Sequence, residues 1–209
     1  MDHGERAGDV VFVVDDDQSM REALSSLLRA VGWRVETFCD AVDYLAYRAP
    51  RGPSCLVLDV RLPGMSGLEL QRVLADRDDA PPIIFMTGHG SIQMSVQAMK
   101  AGAVEFLAKP FREQDLLAAI EAALQQDAGA RRERADLADI RRRVRLLSPR
   151  EHEVMNLIVK GLLNKQAAAL LEISEITVKV HRRRVMEKLG ARSLPELVRM
   201  VERVEPTSA

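Results

Sequence analysis

Residues 10–17 read VVFVVDDD, an apolar run of five residues that ends in three aspartates. A short run of this kind, rich in β-branched residues, predicts a buried strand. Similar runs occupy 56–58, 83–86 and 104–108, with amphipathic helical stretches between them. This alternation predicts a parallel sheet with connecting helices.

Polar residues stand where the four runs end. Asp15 and Asp16 follow the first run, Asp59 the second, Thr87 the third and Lys109 the fourth. In an open α/β sheet the carboxyl ends of parallel strands share one edge, and ligands bind there. We therefore expect three carboxylates, a hydroxyl and an ammonium group to meet at this edge.

Such a cluster indicates phosphoryl chemistry. Three neighbouring carboxylates repel one another unless a cation offsets them, and their oxygen atoms are ligands that Mg²⁺ prefers. With Mg²⁺ on one side and Lys109 on the other, Asp59 could attack a phosphoryl group and form an aspartyl phosphate, while Thr87 donates to a phosphoryl oxygen. The alternative is that residues 15–17 form only a solvated turn and a helix N-cap. Of the three residues, Asp17 is the one for which this alternative has the most support.

Four segments resemble the receiver domain of two-component response regulators. They are VVDDD at 13–17, LVLDVRLPGMSGLEL at 56–70, IIFMTGHG at 83–90 and AMKAGAVEFLAKPF at 98–111. The resemblance covers residues 9–126 and implies an α/β domain with a five-stranded, parallel, doubly wound, flavodoxin-like sheet. It also implies that a cognate histidine kinase phosphorylates Asp59.

The same resemblance implies roles for the residues around Asp59. Asp59, Thr87 and Lys109 form the catalytic group, and Thr87 and Phe106 form a switch pair. The implied Mg²⁺ ligands are the carboxylates of Asp15, Asp16 and Asp59 and the backbone carbonyl of Arg61, with Asp15 acting mainly through water.

Residues beside this group bear on its chemistry. In the resembled family, the positions of Arg61 and His89 tune the lifetime of the acyl phosphate, and Pro110 usually follows a cis peptide bond. A rival function is that of a dehalogenase-like phosphatase, which also uses an aspartate nucleophile. Such enzymes need a second aspartate two residues after the nucleophile, where this chain has Arg61, so turnover of external phosphoesters is not expected.

Length and composition fit two globular domains. The chain has 209 residues, of which 47% are hydrophobic and 29% charged. No apolar run could span a bilayer, and residues 1–9 lack the apolar stretch of a signal peptide, so we expect a cytoplasmic protein. In that reducing compartment Cys39 and Cys55 are expected to be small core residues, with a disulfide or redox sensor as the alternative.

The charge differs between the two halves of the chain. Residues 1–124 hold 12 Lys and Arg against 19 Asp and Glu, a net charge of −7, whereas residues 125–209 hold 18 against 12, a net charge of +6. An acidic half suits a metal-dependent site, and a basic half suits a polyanion such as DNA.

A helical linker is predicted at 127–146. The linker contains Leu137, Ile140 and Val144, and Leu147 follows it directly. These four residues are separated by three, four and three positions, which places them on one stripe of a helix. We expect this helix to continue the last receiver helix beyond a break near Gly129. A semi-rigid spacer with a small docking stripe is favoured over a coiled coil, which would need more heptads.

Four short helices are predicted at 147–206. Ser148 with Pro149 and Glu151 marks the first start, and Asn164, Ser174 and Ser193 are expected N-caps of the other three. The close spacing of the second and third helices is typical of helix-turn-helix proteins.

The third of these helices, ITVKVHRRRVMEKL at 176–189, has two faces. Val178, His181, Val185 and Leu189 share a face that packs, and Lys179, Val180, Arg183 and Glu187 share a face that is exposed. An exposed basic face with an apolar valine suits the major groove, where Lys or Arg bonds to guanine and an apolar group meets a thymine methyl. The alternative is a merely solvated charged helix.

The segment LSPREHEVMNLIVKGLLNKQAAALLEISEITVKVHRRRVMEKLGARSLPELVRMV at 147–201 resembles the LuxR-type DNA-binding domain. Joined to a receiver, it is similar to the FixJ/NarL class of transcriptional regulators. That class implies double-stranded promoter DNA, RNA polymerase and, once phosphorylated, a second copy of the chain as partners, with no membrane partner.

The class also implies individual DNA contacts. Lys179, Val180 and Arg183 would reach bases; Lys165, Thr177, His181 and Arg182 would lie near phosphates. His181 is also a plausible residue of the core edge. A second rival function, a phosphorylation-independent adaptor whose helical domain binds protein, stays open at this stage.

Overall fold

The computed structural model describes residues 8–48, 52–88 and 92–204, which form two compact units that divide between Arg131 and Arg132. His89 lies outside the described residues, as do residues 205–206 of the expected DNA-binding domain. Each unit is described by itself.

The first unit holds a five-stranded sheet of β1 (Val10–Val14), β2 (Arg34–Phe38), β3 (Ser54–Asp59), β4 (Ile83–Thr87) and β5 (Glu105–Ala108). All neighbouring strands are parallel, in the order β2-β1-β3-β4-β5. The helices α1 (Gln18–Ala30), α2 (Ala41–Ala46), α3 (Gly67–Ala75), α4 (Ile92–Lys100) and α5 (Glu113–Val144) each follow a strand. The predicted α/β fold is confirmed.

Helices cover both faces of this sheet. Val11 and Val13 pack with buried residues of α1 and α5, whereas Val10, Phe12 and Val14 pack with buried residues of α2, α3 and α4. Successive side chains of a strand point to opposite faces, so a strand that is buried on both faces has no polar positions. This explains why β1 reads as an unbroken apolar run.

Helix α5 passes through Gly129 without a break, so the expected break there is wrong. A single glycine costs a helix only about 1 kcal/mol relative to alanine, and the neighbouring alanines, arginines and glutamates favour the helix. Buried Asp127 anchors the helix just before this point, since its Oδ2 accepts hydrogen bonds from the backbone N–H of Ser54 at 2.8 Å and from Arg131 at 2.6 Å.

The second unit contains the end of α5 followed by α6 (Pro149–Val159), α7 (Asn164–Leu171), α8 (Glu175–Leu189) and α9 (Leu194–Val204). The four predicted helices are present. Ile140 and Val144 are buried in the core that these helices form, so the predicted apolar stripe docks within this unit. No helix in the described ranges is long and apolar enough to cross a membrane.

The predicted caps are right in three helices and wrong in one, and in the last helix Ser193 Oγ accepts from the N–H of Glu196. Ser148 Oγ accepts from the N–H of Glu151, and Ser174 Oγ accepts from the N–H of Thr177. Asn164 is instead the first residue of α7, and Leu163 holds the N-cap position. The side chain of Asn164 therefore does not cap the helix.

Candidate functional site

The residues that end the strands meet at one edge of the sheet. Asp15 follows β1, Asp59 ends β3, Thr87 ends β4 and Lys109 follows β5. Asp15, Asp59 and Thr87 are buried, with exposed fractions of 0%, 8% and 1%. Burying two carboxylates is costly unless they are paired, so the arrangement requires a nearby positive charge.

Lys109 supplies that charge. Its Nζ donates hydrogen bonds of 2.7 Å both to Asp15 Oδ2 and to Asp59 Oδ2. Burial alone would lower the pKa of Lys109, but the hydrogen bonds from its ammonium group to Asp15 and Asp59 outweigh burial and raise the pKa above its usual value. Lys109 is therefore a permanent cation shared by the two carboxylates.

Backbone hydrogen bonds fix the other carboxylate oxygens. Asp15 Oδ1 accepts from the N–H of Asp17 at 2.9 Å, and Asp59 Oδ1 accepts from the N–H of Arg61 at 3.0 Å. The N–H of Lys109 donates to the carbonyl of Thr87 at 2.8 Å, which holds the chain after β5 against the end of β4. The peptide bond between Lys109 and Pro110 is cis.

The acidic residues also form a candidate cation site. Asp15, Asp16 and Asp59 each offer a carboxylate oxygen, and these oxygens lie within 4.8 Å of one another. An all-oxygen donor set with an exposed member, Asp16, fits Mg²⁺, which binds through a few carboxylates and keeps several waters. Arg61 is exposed beside this set.

Two further predicted residues have distinct positions. Asp17 is the N-cap of α1 and accepts from the N–H of Ser19 at 2.8 Å, so the capping alternative is correct for Asp17. Phe106 is half-buried on β5, and its ring centroid lies 6.1 Å from that of Phe85.

Two positioning residues that the sequence patterns did not reveal lie beside the site. Arg21 on α1 donates to the carbonyl of Asp15 at 2.7 Å, which ties the helix to the end of β1. A Cβ at Gly67 would collide with the carbonyl oxygen of Asp59, so α3 approaches the end of β3 at a distance that only glycine permits.

The two cysteines differ from each other. Cys55 is buried in β3, as expected, and burial raises the pKa of its thiol. Cys39 is exposed, so its expected place in the core is wrong. It lies just after the edge strand β2, where its Sγ contacts the carboxylate of Asp43 at 3.5 Å.

In the second unit, helix α8 has the two predicted faces. Val178, Val185 and Leu189 are fully buried, whereas Lys179 and Arg183 are exposed. Val180 is 44% exposed, so its side chain is available to a ligand. Within the part of the chain that the structure describes, these exposed cations pair with acids of their own helix: Lys179 contacts Glu175 at 3.1 Å and Arg183 contacts Glu187 at 2.8 Å.

The other predicted DNA contacts surround this face. Lys165 is exposed in the first turn of α7, and Thr177 Oγ1 lies 2.8 Å from Ser174 Oγ. Arg182 is half-buried and reaches Asn164 Oδ1 at 3.4 Å. His181 is half-buried, and within the described ranges its buried Nδ1 has no hydrogen-bond partner, in keeping with a place at the core edge.

Partly buried polar contacts fix the other end of α8. Lys188 Nζ donates to Glu151 Oε2 at 2.6 Å, and Arg143 donates to the carbonyl of Leu189 at 2.9 Å. The hydrogen bond from Lys188, with that from the Ser148 backbone, lowers the pKa of Glu151 to about 2. The ends of α5 and α6 therefore orient the basic helix.

Comparisons with known proteins agree with both units. The family model described as response regulator receiver domain matches residues 11–121, and the model described as bacterial regulatory proteins, luxR family, matches residues 145–201. Nodulation protein W of Bradyrhizobium diazoefficiens is 52% identical over 193 residues, which cover 92% of this chain and 85% of that protein.

Solved structures show the same relationship. The response regulator StyR is 52% identical, with a TM-score of 0.84 over 94% of this chain and 99% of that one. Full-length FixJ from B. japonicum is 42% identical, with a TM-score of 0.54 over 96% of this chain and 98% of that one. These matches favour a regulator over a metabolic phosphatase or a protein-binding adaptor. The chain belongs to the two-component response regulators that join a receiver domain to a LuxR-type DNA-binding domain, and it is a DNA-binding transcriptional regulator.

Proposed function

We propose that a cognate histidine kinase switches this regulator by transferring a phosphoryl group to Asp59. The observation that carries the proposal is the pair of 2.7 Å contacts from Lys109 Nζ to Asp15 and Asp59. In the transfer, a carboxylate oxygen of Asp59 bonds to phosphorus while the bond from phosphorus to the donor nitrogen breaks and leaves its electron pair on nitrogen. Lys109 and the Thr87 hydroxyl stabilise the phosphoryl oxygens.

The proposed Mg²⁺ site consists of Asp15, Asp16, Asp59 and the backbone carbonyl of Arg61. When bound, Mg²⁺ would offset the charge of the carboxylates and of the phosphoryl oxygens. Asp16 contributes an exposed carboxylate, and Asp59 contributes an oxygen whose position is fixed by the N–H of Arg61. Apart from this phosphorylation and its reversal, we propose no catalytic activity.

Labelling of the purified chain with Mg²⁺ and phosphoramidate, followed by mass spectrometry, tests this proposal. Wild-type protein should gain one phosphoryl group, and Asp59→Asn should gain none because an amide is not a competent nucleophile. A chelator should abolish labelling, and Lys109→Ala should slow it. Asp43→Asn is the matched control, since Asp43 is an exposed acid near the same edge of the sheet. Labelling of Asp59→Asn at the wild-type level would refute the assignment.

We further propose that phosphorylation drives homodimerisation of the receiver. Thr87 moves towards the phosphoryl group and Phe106 follows, which shifts the receiver to a second state because the phosphoryl group binds that state better. Support comes from α4, where Ile92, Val96 and Met99 are large apolar residues that are 84%, 46% and 44% exposed. Their spacing of four and three residues puts them on one face of the helix.

Sedimentation with and without beryllofluoride tests dimerisation. The wild-type chain should shift towards dimer, whereas Val96→Asp should remain monomeric because a charge is placed in the apolar face. Val42→Asp is the control, since Val42 is 64% exposed on α2, outside that face. An unchanged monomer fraction with beryllofluoride contradicts the proposal.

For DNA, we propose that Lys179, Val180 and Arg183 contact base edges in the major groove. The other contacts, to phosphates, are assigned to Lys165, Thr177, His181 and Arg182. Support comes from the exposure of the first set on one face of α8, together with the partly buried contacts of Arg143 and Lys188 that hold the end of that helix. In a dimer, two such helices contact half-sites that lie about one turn of the DNA helix apart. We propose that α9 forms the contact between the two copies.

Binding to a randomised duplex pool at two salt concentrations separates these roles. Arg183→Ala or Lys179→Ala should cost about 1–3 kcal/mol on the preferred site and relax base choice. Lys165→Ala should weaken all sequences alike and lower the salt slope by about one. If Arg183→Ala keeps full sequence preference and loses only salt-dependent affinity, Arg183 is a phosphate contact.

The remaining proposals concern organisation. We propose a receiver at 9–126, a helical linker at 127–146 and a DNA-binding domain at 147–206, with RNA polymerase as a further partner and the cytoplasm as the location. The family matches at 11–121 and 145–201 support this division. Limited proteolysis with mass spectrometry of the fragments checks the bounds.

A further inference from the structure

The most exposed large aliphatic side chain that the structure describes in the second unit is Ile176, at 74%. It is the second residue of α8, and it does not belong to the core built by Val178, Val185 and Leu189. Burying an aliphatic side chain of this size is favourable. Its position on the surface therefore leaves an apolar contact available to a ligand.

Helical spacing places Ile176 on the proposed base-reading face. Residues 176, 179, 180 and 183 are separated by three, one and three positions, the pattern of a single stripe along a helix. In helix-turn-helix proteins the N-terminal residues of the recognition helix contact base edges. Ile176 stands at this end of α8, one turn before Val180.

The charge around Ile176 identifies the kind of partner. Lys179 and Arg183 lie on the same stripe, one and two turns after Ile176, and their acidic contacts are exposed, with side chains of Glu175 and Glu187 that are 45% and 59% exposed. Exposed pairs of this kind contribute little and yield readily to a polyanion. An apolar side chain at the start of a stripe that carries two cations fits double-stranded DNA, whose major groove presents one apolar group, the C5-methyl of thymine.

We propose that Ile176 is a specificity-determining residue that contacts a thymine methyl group in the major groove. This inference rests on the proposed DNA-reading face of α8 and adds to it a second apolar contact beyond Val180. Each half-site then prefers thymine at the base pair that Ile176 contacts. Because Ile176 lies one turn before Val180 on α8, the two residues contact different base pairs.

Uracil substitution tests this contact directly, because uracil lacks the methyl group and keeps the hydrogen-bonding edge of thymine. A preferred duplex is first selected from a randomised pool with the full-length wild-type chain. Each thymine is then replaced by uracil in turn. Wild-type affinity should fall about fourfold at the position read by Ile176, the value for one buried methyl group.

The variant Ile176→Ala completes the measurement. It should bind the thymine duplex about fourfold to tenfold more weakly than wild type, and it should no longer distinguish thymine from uracil at that position. Val180→Ala should lose discrimination at a different position. Leu170→Ala is the matched control, since Leu170 is 63% exposed on α7 and should leave every thymine-to-uracil ratio unchanged.

The outcomes separate this inference from the function on which it rests. If Arg183→Ala and Lys179→Ala relax base choice while Ile176→Ala keeps the wild-type ratios, the face is right and the inference is overturned. Equal weakening of thymine and uracil duplexes by Ile176→Ala also overturns it, because that result indicates a sugar-phosphate contact. If none of the variants changes base choice, the reading face itself is wrong.

Discussion

The substitution Glu151→Gln tests how the ion pair between Glu151 and Lys188 stabilises the DNA-binding unit. The Glu151 side chain is 4% exposed and accepts hydrogen bonds from Lys188 Nζ at 2.6 Å and from the Ser148 N–H at 2.8 Å. Glutamine keeps an oxygen for Ser148 but loses the charge opposite Lys188. The change therefore isolates the electrostatic contribution.

The magnitude follows from the pKa. Lys188 and Ser148 lower the pKa of Glu151 from 4.5 to about 2, which corresponds to about 3 kcal/mol of folding free energy at neutral pH. Because the Lys188 side chain is 39% exposed, solvent screens the pair, and we expect Glu151→Gln to cost about 2 kcal/mol. A loss of this size lowers the melting temperature of a small unit by about 10 °C.

The sign of the pH dependence is fixed by the lowered pKa. The stabilisation by Glu151 is fully present above its ordinary pKa of 4.5 and is lost as the pH falls towards its folded pKa of about 2. Glu151→Gln carries no such titration. The stability difference between wild type and variant should therefore be constant from pH 7 down to about 5 and should shrink below that.

Two optical signals separate the units in the assay. The chain has one tryptophan, Trp33, which is buried in the first unit, so its fluorescence reports that unit. Far-ultraviolet circular dichroism reports helices of both units. Urea unfolding of Glu151→Gln should shift the dichroism transition of the second unit and leave the fluorescence transition in place.

Glu153→Gln is the matched control. Glu153 lies on the same helix and contacts Arg150 at 2.8 Å, but its side chain is 48% exposed. Its loss should change stability by no more than about 0.5 kcal/mol. The reasoning is refuted if both variants destabilise equally, or if the difference between wild type and Glu151→Gln persists undiminished near pH 2.

Three other substitutions test the fold. Gly67→Ala should destabilise the first unit by about 2–3 kcal/mol in urea unfolding followed by fluorescence, because the added Cβ meets the backbone of Asp59. Gly129→Ala should stabilise α5 by about 0.5–1 kcal/mol in thermal unfolding, since nothing lies within 4 Å of the added Cβ. Gln71→Ala should cost about 1–2 kcal/mol and speed amide hydrogen exchange at the end of α4, where its side chain donates to the carbonyls of Ala98 and Ala101.

An unbroken apolar run marks the three central strands of the sheet. The central strands β1, β3 and β4 are buried along their whole length, so each reads as an apolar run. Strand β2 reads RVETF and is partly exposed at the edge of the sheet, so it carries no such run. Its presence was implied by the resemblance to receivers rather than by an apolar run of its own.

The site shows the same distinction between pattern and packing. Asp15, Asp59 and Lys109 could be placed together because strand ends share an edge whatever the side-chain packing. Arg21 and Gly67 could not, because their roles depend on how closely a helix approaches the sheet. The misplaced cap at Asn164 and the expected break at Gly129 both rested on the preference of a single residue, and such a preference is weak.

The contact between Lys109 and Asp15 joins residues 94 positions apart. Contacts of such long sequence separation form late in folding, because a large loop must close first. During synthesis, Lys109 can reach the aspartates only after β5 has left the ribosome. A nascent chain that has already formed β1 and β3 therefore lacks the cation that pairs with Asp15 and Asp59. Under the proposed function, a chain that has not yet completed the sheet would therefore accept a phosphoryl group more slowly than the finished regulator.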